Sequence, residues 1–214
     1  MITKNKIIKI IELAKKCNEC ALHHFKKFDK KSVNYKDDNS PLTKADVEVN
    51  NIAVYGLQKL FPNIEIISEE LYNSKHNFKN NKYFWLIDPI DGTKEFINKS
   101  PNFTVNFALI KHNTPIFGLI AQPTTGIIWY NFNNKAWRLD KGQDFKSSQR
   151  IKSKEINYKA LRTLSSFNHR SKELEDWISF VKPLSDQDIG SSIKFCYLAE
   201  GKVDFYPRTS PTME

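Results

Sequence analysis

With 214 residues, 40% of them hydrophobic, the chain can bury a sizeable core in one large domain or two small ones. Its 33 basic residues against 24 acidic ones leave a net charge of +9, but the lysines are dispersed and no nucleic-acid-binding motif accompanies them, so no nucleic-acid partner is expected. No apolar run approaches the ~18 residues of a membrane span, and three cysteines are too few for a disulfide framework.

Lysines also interrupt the apolar residues of the N-terminal segment, which lacks the continuous core of a secretory signal. The expected location is the cytoplasm, with a peripheral position at the inner membrane as the alternative.

The predicted elements follow from periodicity. Residues 4–28 place Ile7, Ile8, Ile11, Leu13, Ala14, Cys17, Ala21, His24, Phe25 and Phe28 near helical spacing and read as a long amphipathic helix. Cys17 and Cys20 form a C-x-x-C on it. No second Cys or His pair stands at zinc spacing and no strand precedes the motif, so both read as helix-packing residues.

Residues 29–42 are polar and read as a loop or irregular hairpin. A second helix runs from Thr43 to Leu60 and ends at Phe61-Pro62-Asn63. Ile64 to Ser68 is a short strand closing on Glu69-Glu70, and 71–82 is an Asn- and Lys-rich loop, the segment most expected to move. Then come a buried strand at 83–88 and an alternating strand from Phe103 to Ile110. Strands at 116–122, 127–132 and 136–139 complete an antiparallel meander.

A boundary falls within 141–158, dividing an N-terminal α+β part (1–145) from a C-terminal α/β part (146–214). In the second part, Leu161–Ser166 reads as a strand, Ser171–Lys182 and Ser191–Glu200 as helices, and Val203–Tyr206 as a strand.

The most informative segment is Asp88-Pro89-Ile90-Asp91-Gly92-Thr93, after the apolar run Tyr83 to Ile87. Carboxylates at the end of a buried strand are costly unless a cation holds them. Pro89 and Gly92 are expected to stop the strand and turn the chain, aiming Asp88, Asp91 and the Ile90 carbonyl at one point. Hard oxygen donors of this kind suit Mg²⁺. The amides of Gly92 and Thr93 would open a short helix facing an anion. The plain alternative is a solvated turn in which Asp caps a helix.

Asp46, early in the second helix, and Glu69 and Glu70, at a strand end, are further carboxylates at element termini. Glu69, Asp88 and Asp91 together could supply a metal cluster for phosphate chemistry. Alone, Glu69-Glu70 reads as a solvated strand terminus.

These residues carry a resemblance. Ser40-Pro41-Leu42-Thr43-Lys44-Ala45-Asp46, Ser68-Glu69-Glu70, Trp85 to Phe96 and Phe103-Thr104-Val105-Asn106 occur in that order. So arranged, they resemble the inositol monophosphatase superfamily from near residue 5 to residue 214. Lys94-Glu95-Phe96, the strand 103–110, Gly190 to Cys196, and Ala199-Glu200-Gly201 with Tyr206-Pro207-Arg208 resemble its bacterial 3′(2′),5′-bisphosphate nucleotidases.

The resemblance implies an α/β fold, a layered α-β-α-β-α sandwich, and a phosphatase using two or three Mg²⁺ ions. Glu69, Asp88, the Ile90 carbonyl and Asp91 would bind metal, with Glu69 counted also in the catalytic set. Thr93, oriented by Asp46, would help activate water, and Asp91 with the amides of Gly92 and Thr93 would hold the scissile phosphate. Gly190, Lys194 and His169 would lie at the nucleotide. The implied substrate is a small nucleotide bisphosphate such as adenosine 3′,5′-bisphosphate, hydrolysed directly at its 3′-phosphate and inhibited by lithium.

Family members continue past this sequence's last residue with a Trp-Asp pair that opens a helix and supplies a second-metal ligand. On that resemblance the chain is expected to be C-terminally truncated and to turn over weakly or not at all. Three alternatives stay open: an inositol or sugar monophosphatase, a non-catalytic nucleotide binder, and a nucleic-acid module. The oligomeric state is not legible.

Overall fold

The first helix, α1 (Lys4–Lys27), opens on Thr3, whose hydroxyl accepts from the Lys6 amide. It buries Ile7, Ile10, Ile11, Ala14, Cys17 and Ala21 along one stripe. The computed structural model describes residues 2–29, 34–35, 41–71, 82–166 and 170–209. Most of the 71–82 loop, residues 36–40, His169 and residues 210–214 therefore lie outside the described residues. Within 29–42, β1 (Asn34–Tyr35) and β2 (Pro41–Leu42) pair antiparallel, the hairpin form of the expectation.

Helix α2 (Lys44–Leu60) starts with a capping box between Thr43 and Asp46. It packs on α1 closely enough that a Cβ at Gly56 would fall 2.3 Å from a methyl of Leu13.

The large sheet has the order β3 (Glu65–Ser68), β4 (Tyr83–Asp91), β5 (Thr104–Lys111), β6 (Thr114–Gln122), β7 (Ile127–Phe132), β8 (Lys135–Leu139), β9 (Gln149–Ile151). Strand β3 pairs parallel to β4, and every later pairing is antiparallel. Two turns explain the meander's tight returns. His112-Asn113 and Asn133-Asn134 all take positive φ, the geometry that two-residue hairpins need and asparagine tolerates. The sheet runs past residue 145 to Ile151, because polar β9 adds to the edge strand β8.

Ile128 and Tyr130 face the core under α1 and α2. Trp129 between them faces the opposite side and donates its indole N–H to Glu200, the C-cap of α5 (Ile193–Ala199). Helix α5 also meets β10 (Arg162–Ser165) through Ile193 and Leu164, so it lies between the two sheets. The second sheet pairs β10 parallel to β11 (Ser185–Asp188). Their crossover helix, α4 (Lys172–Val181), supplies the outer layer. The resulting order of helix pair, sheet, helix, sheet and helix is the expected layered α/β architecture.

Two expectations change, and one strand appears that the sequence did not announce. Strand β4 does not stop at Asp88 but continues to Asp91, because Pro89 sits in a bulge. Strand β11 was not legible, since Ser185-Asp186-Gln187-Asp188 has no apolar alternation. Val203–Tyr206 forms only an isolated bridge, Thr163 to Phe205, because Asp204 turns its carboxylate onto Arg162. Among the described residues no helix is long and apolar enough to cross a membrane.

Candidate active site

The site begins with a register shift. Asp88 pairs with Asn106 and Asp91 with Thr104, so Pro89 and Ile90 on β4 oppose the single residue Val105 on β5. In a regular strand, residues three apart point to opposite faces. The extra residue brings Asp91 back to the face of Asp88 and buries Ile90. Gly92 then takes φ 95°, a conformation that favours glycine, and starts α3 (Thr93–Ile97).

Around this bulge four carboxylates converge. Asp88 retains some surface, but its carboxyl is enclosed and held well above the ordinary carboxylate range. Burial is the main cause, followed by Asp91, then Glu69, which also hydrogen-bonds it, and then Asp46. Those influences all push one way, as they do where carboxylates gather for a cation. Among the described residues, however, no three of these acids bring one oxygen each to within 4.8 Å of one another.

Asp91 is anchored from three residues. Its Oδ2 accepts from Thr104 Oγ1 and Asn106 Nδ2, each at 3.3 Å, and from the Ser192 amide. Ser192 Oγ lies 2.8 Å from Thr104 Oγ1 and donates to Asn106 Oδ1 at 3.0 Å. Asp46 is fully buried and accepts from the Thr43 amide at 2.8 Å and the Thr43 hydroxyl at 2.6 Å. The Thr93 hydroxyl donates to the Ile90 carbonyl at 3.1 Å, and Asp88 Oδ1 accepts from the Ile90 amide at 3.1 Å.

A family profile described as the inositol monophosphatase family matches residues 4–214. The chain belongs to the inositol monophosphatase family. It is 36% identical over 214 residues to a 3′(2′),5′-bisphosphate nucleotidase CysQ of Buchnera aphidicola subsp. Acyrthosiphon pisum, covering 99% of this chain and 78% of that one. The CysQ of Escherichia coli K12 is 32% identical over 206 residues, with coverage of 95% and 80%.

The crystal structure of CysQ from Bacteroides thetaiotaomicron matches with a TM-score of 0.80 at 30% identity, over 98% of this chain and 81% of that one. An inositol monophosphatase structure from Thermotoga maritima, at 22% identity and TM-score 0.73, shares the fold.

Within this family frame, the structure brings Asp46, Glu69, Asp88, Ile90, Asp91, Gly92 and Thr93 to one end of the sheet. Gly190 lies there too, packed so tightly that a Cβ would fall 2.3 Å from the buried Glu95 side chain. Lys194 is 6% exposed, its ammonium 2.6 Å from the Ser191 carbonyl and over the Tyr206 ring. His169 falls outside the described residues.

Sequence reasoning assigned no role to Thr104, Asn106 and Ser192. The motifs containing them were visible; their shared grip on Asp91 was not.

Proposed function

We propose that this member of the family is a Mg²⁺-dependent 3′(2′),5′-bisphosphate nucleotidase acting on adenosine 3′,5′-bisphosphate. The observation that carries the reading is 36% identity to a bisphosphate nucleotidase over 99% of the chain. The donor chemistry supports it: Glu69, Asp88, Asp91 and the Ile90 carbonyl offer only oxygen, the set magnesium takes. The raised Asp88 carboxyl supports it as well, because a cation there would favour the ionised form.

When bound, magnesium supplies a lowered pKa for water and positive charge near the departing oxygen. The chain's own groups do the rest. Asp46, fixed by two donors from Thr43, and the Thr93 hydroxyl orient the attacking water. The first amides of α3, at Gly92 and Thr93, hold the phosphate, because a helix's opening amides lack partners within the helix. Ser192, Thr104 and Asn106 keep Asp91 aimed. Gly190 and Lys194 line the nucleotide side, with Lys194 bracing the Ser191–Ser192 turn. The protein works away from nucleic acid, in the cytoplasm.

The test is phosphate release from adenosine 3′,5′-bisphosphate and from inositol 1-phosphate, at matched Mg²⁺, with and without lithium. Equilibrium binding of both compounds is measured alongside. Mg²⁺-dependent, lithium-sensitive preference for the bisphosphate is expected. Preference for inositol 1-phosphate in turnover or binding overturns the substrate assignment.

A further inference from the structure

Away from the carboxylates, a second group of ligand-type side chains converges. Cys20, His24 and Glu48 each offer one atom, and the three atoms lie within 4.8 Å of one another. Among the described residues this is the tightest such trio. His24 Nε2 is 2.8 Å from Glu48 Oε2, and Cys20 Sγ is 3.8 Å from the same oxygen. Cys20 and His24 stand four apart on α1, so they share one face. Glu48 comes across from the second turn of α2.

The backbones beneath are fixed. Cys17 and Ala21 of α1, and Val49 of α2, are fully buried in the core. Cys20 is half-buried, while the His24 side chain is 22% and the Glu48 side chain 59% exposed.

We propose that Cys20, His24 and Glu48 form a three-ligand site for a zinc-type divalent cation, separate from the oxygen-only centre at Asp88 and Asp91. One sulfur, one imidazole nitrogen and one carboxylate oxygen are not a magnesium or calcium set, since those ions take oxygen. Zinc-type ions accept this mixture in a tetrahedron, and three protein ligands leave the fourth position to water.

Binding forms a sulfur–metal bond and sends the Cys20 thiol proton to solvent. The proton that His24 Nε2 shares with Glu48 moves to Nδ1 as the other neutral tautomer, or to solvent from an imidazolium, and His24 Nε2 and a Glu48 oxygen each bond the metal. Redox chemistry between Cys17 and Cys20 is the weaker use of the motif, because burial pushes the thiols up to about 12 and about 11. The spacing of the sequence concealed the site. His23-His24 follows Cys17-x-x-Cys20 too closely for a zinc-finger spacing, and the remaining ligand arrives from another helix.

The experiment titrates the full chain with Co²⁺, a spectroscopic stand-in for zinc, under saturating Mg²⁺ so that oxygen-only sites are filled. A sulfur-to-cobalt charge-transfer band should saturate at one Co²⁺ per chain and disappear on adding one equivalent of Zn²⁺. It should vanish in Cys20→Ser and need at least about tenfold more Co²⁺ in His24→Ala and in Glu48→Gln. Cys17→Ala should keep it.

No band at one equivalent overturns the proposal, as does a band that survives Cys20→Ser. Circular dichroism of each metal-free variant checks the fold, and exposed Glu48→Gln carries the test if a change in α1 disturbs packing. Because the readout is a sulfur band, it stands or falls independently of the nucleotidase reading.

Discussion

The body built from α1, α2 and the large sheet fully buries Trp85, Phe96, Phe103 and Phe107. The unit built from β10, α4, β11 and α5 centres instead on Leu164, Ile189, Ile193 and Val203. It leaves Phe180 and Leu184 at 87% and 72% exposure. Its directional ties are ionic. Arg162 grips Asp204 through two nitrogens at 2.9 and 3.0 Å, and Arg170 reaches Glu175, Asp186 and Asp188.

An apolar core resists displacement without specifying angles, whereas bidentate pairs set orientation while staying sensitive to pH. The candidate site sits on the seam. Asp91 belongs to the body, but the amide that holds it comes from Ser192 at the start of α5.

The largest effect should fall in the body. Phe103→Ala removes a fully buried ring packed on Phe25 and Phe96, and should cost about 3–5 kcal/mol. Ile193→Ala, in the smaller cluster, should cost less. Urea unfolding midpoints compare the two, and equal losses would break the contrast.

Asp91→Asn should lower phosphate release at saturating Mg²⁺ by about 100-fold or more, since metal charge stabilisation contributes several kcal/mol. Ser192→Ala should lower it less, because the amide that binds Asp91 remains while the hydroxyl bridging Thr104 and Asn106 is lost.

The two regions should also respond to pH in opposite senses. Asp88 has a raised folded pKa, so its contribution is fully present below the ordinary carboxylate value and lost as pH rises through the folded value. Without Mg²⁺, the body should weaken towards neutral pH. Mg²⁺ at about 100 times its Kd should restore about 2.7 kcal/mol. Asp88→Asn should raise the melting temperature without Mg²⁺ and abolish most of the Mg²⁺ response. A melting temperature indifferent to Mg²⁺ would sink this.

The smallest effect concerns Asp204. Its carboxyl is held low, chiefly by hydrogen bonds from Arg162. That contribution is present above the ordinary carboxylate value, near pH ~4, and is lost as pH falls through the lowered folded value. Arg162→Met should shift the acid loss of the second unit to higher pH, read from Trp177 fluorescence. The Mg²⁺ response of the body should not change.

The sequence by itself determined the elements whose signal is local. Helical spacing marks α1, period-two alternation marks β5, and short apolar runs between turn residues, the asparagines at 113, 133 and 134 among them, mark β6 to β8. It also singled out five acids at element ends, Asp46, Glu69, Glu70, Asp88 and Asp91, because they stand out against apolar runs, and the family resemblance set Glu70 aside and gave Asp46 its role.

Tertiary structure alone decided how those acids are aimed. The β4 bulge exists only in register with β5. Asp91's partners lie 13, 15 and 101 residues away. Polar β11 is a strand only because β10 lies beside it, and Glu48 meets Cys20 and His24 only because α2 packs on α1. Periodicity is a property of the backbone and its neighbours in sequence, whereas convergence depends on which buried surfaces meet.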